Sequence, residues 1–308
     1  MTTPTTPGLH HVTAIAGLAQ ANVDFYTRRL GQRLVKRTVN FDDPGTYHLY
    51  YGDRTGGPGS VLTFFPYATA RRGRAGYGMA ESFAYDIPAE SLDDQAAALR
   101  AQGVTVLPEE ERFGARVLPL VDPDGLKVEL VASATGTSEG FHSATLWLRD
   151  PEATARILTE GLGYREAGQE SGGARERLRF VATPGPDGPA RGAIIDLLRV
   201  DGAPAARPGA GTIHHIAFRA TDDAAQEALR SRLGAMGQQV TPQIDRQYFN
   251  AIYFREPGGI LFEIATDPPG FTVDEPIEML GQGLMLPPQY ESRRAEITAH
   301  LPPLVLPA

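Results

Sequence analysis

One pattern recurs four times along this chain: an alternating strand, a helix with one apolar face, then further strands closed by a turn rich in Gly, Pro and Asp. The last copy is the clearest. Thr212 to Arg219 alternates with period two, and Asp222 to Leu233 is helical, with Ala225, Leu229 and Leu233 recurring every four residues on one face. Gly234 and Gly237 offer ends to that helix. A strand from Phe249 to Phe254 meets the turn Glu256-Pro257-Gly258-Gly259, and a final strand runs from Ile260 to Ala265. In the second copy Ser82 to Ile87 opens the module, and a helix over Ala89 to Ala101 carries Leu92, Ala96 and Leu99. The turn Asp122-Pro123-Asp124-Gly125 then feeds Leu126 to Val131. The third copy runs from Phe141 to Leu148, through a helix opening at Asp150-Pro151, to Ala193 to Val200. The first starts at Leu9, has a helix with Val23, Tyr26 and Leu30, and ends at Val61 to Phe65. Each copy reads β-α-β-β-β over about 60 residues, which predicts an α+β fold.

Two modules make an N-terminal domain over 1–135 and two a C-terminal domain over 136–270, with a proline-rich tail over 271–308 that is expected to pack over the body or a neighbour. Ala203 to Gly209 reads as a linker between copies three and four. At 308 residues and 42% hydrophobic, the chain has enough apolar material for a substantial core. A net charge of −8 argues against a nucleic-acid surface, and the basic run Arg71-Arg72-Gly73-Arg74 reads as a solvated loop. No apolar run approaches the roughly 20 residues a membrane span needs. The first eight residues lack a signal-peptide pattern and there is no cysteine, so a cytoplasmic protein is expected. The missing cysteines also exclude disulfides, thiolate metal sites and a cysteine nucleophile.

Four of the seven histidines fall at equivalent places: His10-His11 opens the first module and His214-His215 opens the fourth. Neighbouring residues on a strand point to opposite faces, so one member of each pair is available to a single metal. In the fourth copy Ile216 and Phe218 form the apolar face, leaving His215 opposite. In its closing strand Phe262 and Ile264 are apolar, leaving Glu263 opposite. His11 shares a face with Thr13, and His10 with Val12 and Ala14. The assigned ligands are therefore His11, His215 and Glu263. Two imidazoles and one carboxylate form the facial set of mononuclear non-haem Fe(II) oxygenases, with Mn(II) as the alternative metal. The equivalent positions in copies two and three, Ser82, Glu129, Ser143 and Asp196, contain no imidazole and read as a degenerate second cavity; His142 is assigned a structural role.

The motifs Leu9-His10-His11-Val12-Thr13, Ile213-His214-His215-Ile216-Ala217-Phe218 and Leu261-Phe262-Glu263-Ile264 resemble the vicinal oxygen chelate superfamily of glyoxalases, bleomycin-resistance proteins and extradiol dioxygenases. Along nearly the whole chain the likeness is to the ring-cleaving dioxygenases that open hydroquinones. That resemblance implies two paired, cupped, mixed sheets with helices outside, and a metal held between the first and fourth modules. It further implies a small aromatic substrate, O2 as co-substrate, and His10, Thr13, His214, Arg246 and Tyr253 around the metal. Simple alternation turns His10 and His214 away from the metal, whereas the resemblance sets them near it. Tyr47, Tyr50, Tyr51, Phe64 and Tyr248 are candidates for an aromatic pocket, and the exposed sheet edges of such modules predict a homo-oligomer. Two other functions compete. One is a glyoxalase-type lyase or isomerase, disfavoured because the closing strand of module one offers Thr63 and no further ligand. The other is a metal-free binder of small aromatics or antibiotics, which leaves His11, His215 and Glu263 without a common task.

Overall fold

The computed structural model describes residues 5–134, 136, 140–184 and 190–306. Module one comprises β1 (Leu9–Ala16), α1 (Ala19–Val23, prolonged by a wider turn over Asp24–Arg29), β2 (Arg33–Asn40), β3 (Asp43–Gly52) and β4 (Val61–Pro66). Module two comprises β5 (Met79–Pro88), α2 (Leu92–Ala101), the short β6 (Thr105–Val106) and β7 (Glu110–Arg112), β8 (Ala115–Val121) and β9 (Lys127–Ser133). Module three has β10 (Phe141–Leu148), α3 (Glu152–Arg156, prolonged over Ile157–Gly161), β11 (Tyr164–Gly172), β12 (Arg175–Ala182) and β13 (Ile194–Val200). Module four has β14 (Thr212–Ala220), α4 (Asp223–Ala235), β15 (Ile244–Asp245), β16 (Phe249–Arg255) and β17 (Leu261–Pro269), and the tail carries α5 (Arg294–His300). No helix among the described residues is long and apolar enough to cross a membrane.

Local chemistry sets these boundaries. Asp222 caps α4 by accepting from Ala225 N at 2.8 Å, and Leu229 and Leu233 bury the face that the spacing predicts. Gln226, also on that face, is buried but satisfied, donating to the carbonyls of Asn250 and Ile264 at 2.8 Å. In the Asp-Pro-Asp-Gly turn, Asp122 Oδ1 accepts from Asp124 N at 2.9 Å and Leu126 N at 2.8 Å, while Gly125 takes the left-handed φ of 95°. Glu256 builds the matching turn of module four, accepting from Gly258 N and Ile260 N at 2.8 Å.

Two mixed sheets result. One has the order β15-β16-β17-β14-β1-β4-β3-β2 and the other β11-β12-β13-β10-β5-β9-β8-β6, with β7 on β8. Modules one and four therefore share a sheet, as do two and three, and both sheets cross the midpoint of the sequence. The expected boundary at residue 135 lies outside the described residues. The linkers also meet: Arg72, Arg74 and Tyr77 bridge to Ala210, Arg207 and Ala205, so the segment over 203–209 is a paired strap, and Arg71, Arg72 and Arg74 stay exposed as expected.

The tail packs over the body of its own chain. Lys36 on β2 is fully buried, with Nζ 2.5 Å from both Asp274 and Glu275. Asp274 also accepts from the Tyr248 hydroxyl at 2.9 Å, so one carboxylate ties an end strand of the sheet to the loop before β16. Tyr290 donates to Phe41 O at 2.8 Å and Tyr47 to Pro302 O at 2.9 Å.

Candidate metal centre

The two adjacent strands at the middle of the first sheet, β1 and β14, run antiparallel, and each has a β-bulge at its histidine pair. Leu9 pairs with Phe218 and His11 with Ala217, so His10 is an extra residue; Thr13 pairs with His215 and Ala14 with Ile213, so His214 is another. Strict alternation is broken at both sites. His10 and His214 are consequently not carried clear of His11 and His215. The Nδ1 atoms of His10 and His11 are 3.0 Å apart, and those of His214 and His215 are 2.7 Å apart.

These contacts set tautomers. Burial, then the neighbouring His11, lower the pKa of His10 to about 3; burial and His215 lower that of His214 to about 4. Both outer imidazoles are neutral acceptors at Nδ1. A His11 or His215 that binds a metal must turn a bare Nε2 inward, which leaves its proton on Nδ1 facing that acceptor. His11 Nε2 lies 3.3 Å from His215 Nε2 and 3.3 Å from Glu263 Oε2, and His215 Nε2 lies 2.9 Å from that same oxygen. All three side chains are almost fully buried.

In that tautomer the three inward atoms are all lone-pair donors, which one cation would satisfy together. Neither Glu263 oxygen has a hydrogen-bond donor, which at such burial is costly unless a metal is bound. Ligand atoms about 2.1 Å from a metal and at right angles stand about 3.0 Å apart, against about 3.4 Å in a tetrahedron. The three separations, 2.9 to 3.3 Å, lie between these values, and the residues present fit a metal of either geometry. Among the described residues these three form the one group of His, Asp or Glu side chains convergent enough to hold an ion.

The triad lies in a pocket of about 490 Å³ that is also lined by His48, Tyr50, Phe65, His214, Phe249, Arg246 and Tyr253. Arg246, in the loop after β15, donates from Nε to the Tyr253 hydroxyl at 3.2 Å and reaches Asp42 with Nη1 at 3.3 Å. Tyr253 faces Glu263 directly across β16 and β17. Burial, then the Glu263 charge, push the Tyr253 phenol well above its ordinary value, so it stays protonated and can donate. His214 opens onto the pocket, whereas His10 is buried behind His11 and against Phe249, at a ring separation of 5.2 Å. Thr13 is also behind the wall, bonded to the Thr63 hydroxyl at 2.8 Å.

Of the aromatic candidates, Tyr50 lines the pocket. Tyr47, Tyr51, Phe64 and Tyr248 are core residues, Tyr51 bonding Asn22 at 2.8 Å. Sequence reasoning missed His48, Phe65, Tyr67 and Phe249. Parity could have found two of them, since Phe65 shares a face with Thr63 on β4 and His48 shares one with Tyr50 on β3. The second sheet repeats the bulges at Glu81 and His142, but its centre is filled by cations. Glu129 takes Arg112 at 2.7 and 2.8 Å and Lys127 at 3.0 Å, and Asp196 takes Arg179 at 2.8 and 2.9 Å and Arg177 at 3.3 Å. His142 bonds Ser143 at 3.0 Å. Guanidinium charge stands where a metal would, so the expected second cavity is an ion-pair cluster.

A family profile described as the Glyoxalase/Bleomycin resistance protein/Dioxygenase superfamily matches residues 8–130 and 140–264. MhqO of Bacillus subtilis (strain 168), which carries the name of a ring-cleaving dioxygenase, is 43% identical over 312 residues, covering 97% of this chain and 96% of its own. The chlorohydroquinone/hydroquinone 1,2-dioxygenase of Sphingobium indicum is 34% identical over 311 residues, covering 94% of each chain. A crystal structure from Bacillus subtilis, described as a dioxygenase, superposes with a TM-score of 0.90 at 43% identity, over 98% of this chain and 99% of that one. Glyoxalase I of Zea mays shares the fold, with a TM-score of 0.66 at 15% identity over 90% and 97% of the two chains.

Proposed function

The chain belongs to the glyoxalase/bleomycin resistance protein/dioxygenase superfamily, among relatives named ring-cleaving dioxygenases, and from that premise we propose that it is an Fe(II)-dependent enzyme opening the ring of a hydroquinone or related dihydroxy-aromatic with both atoms of O2. The observation that carries this reading is the convergence of His11 Nε2, His215 Nε2 and Glu263 Oε2 in a pocket walled by aromatic side chains. Two neutral imidazoles and one carboxylate suit a divalent metal of intermediate softness, Fe(II) first and Mn(II) second. Thr63 occupies in module one the closing-strand position that Glu263 holds in module four, which gives a lyase-type site no fourth protein ligand.

His11, His215 and Glu263 would hold the metal, which when bound supplies a Lewis-acid, one-electron centre with open positions for phenolate and O2. The protein supplies the rest. Arg246 and Tyr253 place a fixed positive charge and a phenol proton beside Glu263, where oxygen-centred negative charge would be stabilised by charge-assisted hydrogen bonds. His214 has its Nδ1 engaged by His215, so the remaining polar group of the neutral ring is an Nε2–H donor at the pocket. His10 and Thr13 act through other residues: His10 holds the His11 ring and tautomer, and Thr13 holds Thr63. Phe65, Phe249 and the face of His48 supply apolar walls that exclude water. The same reading includes self-association along the free edge strand β11, measurable by sedimentation equilibrium.

The test is oxygen uptake by apoprotein reloaded with Fe(II) or Mn(II), using a panel of hydroquinones and catechols. Metal-dependent uptake with one ring pattern is expected. No uptake with any ring, despite one tightly held metal per chain, would move the assignment to a lyase.

A further inference from the structure

The pocket is longer than one ring. Along the parallel pair β1 and β4, His11 is level with Val61 and Ile15 with Phe65, four residues farther on, or roughly 13 Å at the rise of an extended strand. One continuous cavity touches His11 at one end and Tyr67 at the other. Between them Ile15 and Phe65 from module one and Leu261, two residues before Glu263, from module four supply hydrocarbon, beside the rings of His48 and His214. A volume of about 490 Å³ lies in the range of pockets that bury drug-sized ligands. A single ring with two hydroxyls leaves most of it empty, and apolar walls hold water poorly.

The far end has defined polarity. Asp42 N donates to Asn40 Oδ1 at 3.0 Å, which fixes the amide so that Asn40 Nδ2 donates to the Tyr67 hydroxyl at 3.1 Å. Tyr67 already accepts there, so its own proton is available to an acceptor in the cavity.

We infer that the substrate is a hydroquinone bearing an apolar substituent of several carbons, an alkyl chain or second ring, that runs along Ile15, Phe65 and Leu261 and ends in an acceptor oxygen at the Tyr67 hydroxyl. This rests on the ring-cleaving reading and specifies its substrate class.

The test compares kcat/KM of the Fe(II)-loaded enzyme for hydroquinone and its 2-methyl, 2-propyl and 2-hexyl derivatives. A rise of about fourfold per added methylene through propyl is expected. A flat or falling series, with unsubstituted hydroquinone turned over, overturns the inference and leaves the ring-cleaving reading intact. If no hydroquinone is cleaved, the ring-cleaving reading fails, and calorimetric binding of matched 3-alkylphenols still reads the channel: affinity must tighten with chain length, and a constant Kd overturns it. Phe65→Trp should flatten the length dependence; if that variant melts early, Ile15→Trp replaces it, and an unchanged slope in a folded variant removes these walls from the assignment. For a substituent ending in an ether oxygen, Tyr67→Phe should cost about fivefold relative to an alkyl group of equal length. Equal loss for both, or none, overturns the acceptor end.

Discussion

His48 Nε2 lies 2.9 Å from the Thr63 hydroxyl, and so a pocket histidine is bonded to the residue that stands where module four has Glu263. The contact continues in both directions. Thr63 meets Thr13 at 2.8 Å, and His48 Nδ1 meets the Tyr50 hydroxyl at 2.7 Å. Both ring nitrogens of His48 are thereby used, and burial together with His11 and His215 keeps it neutral. This row holds the wall opposite Arg246 and Tyr253.

Replacing His48 with Phe should keep the ring but strand the Tyr50 hydroxyl and leave Thr63 bonded to Thr13 alone. We expect a loss of about 1–3 kcal/mol in stability and about a tenfold fall in kcat, with metal content unchanged at one per chain. Thermal melts and metal analysis beside the kinetics separate this from loss of the metal.

His11→Ala and Glu263→Ala should each abolish ring cleavage and tight metal binding while leaving the circular dichroism spectrum intact. In metal-free protein, Glu263→Gln should melt no lower than the parent, because it removes a buried charge that has no donor of its own. A clearly lower melting temperature for that variant would show the carboxylate to be satisfied without a metal.

His10→Ala should weaken metal affinity by about 10- to 100-fold in a chelator competition, since it removes the acceptor that sets the His11 tautomer. His214→Ala should do the same and also raise KM, because His214 alone of the two opens on the pocket. Equal KM effects for both would contradict this division.

Acid stability should report the second sheet. Burial works to raise Glu129, but Arg112 and Lys127 outweigh it and bring its pKa from 4.5 down to about 2. Its stabilisation is complete above about pH 4.5 and is lost as pH falls through about 2. Glu129→Gln should remove that part of the acid transition and destabilise the protein at neutral pH by about 2 kcal/mol, because the buried Arg112 then keeps only Glu110 as a charged partner. Urea melts from pH 2 to 7 measure both effects.

Much of the fold was readable locally. Period-two alternation over Thr212 to Arg219 and the four-residue spacing of Leu229 and Leu233 arise from backbone geometry that each residue shares with its near neighbours. The same parity singled out His11, His215 and Glu263, which the structure brings together, because an apolar neighbour shows which face of a strand is core and leaves the other for a polar side chain. Parity misled for His10 and His214. A bulge is a property of two paired strands, and nothing within the Leu9-to-Thr13 segment alone shows where β14 slips against it.

What the sequence by itself determined was therefore the modules, their order and the side chains His11, His215 and Glu263 on one face of their strands, all of which follow from periodicity within single strands and helices. Only the tertiary structure decided that module one shares a sheet with module four, that His48 meets Thr63, that Arg246 reaches both Tyr253 and Asp42, and that Arg112 and Arg179 fill the second centre. Each of those contacts joins strands or loops distant in sequence, and its partner is set by cross-strand register and by closure of the sheet, which no local pattern encodes.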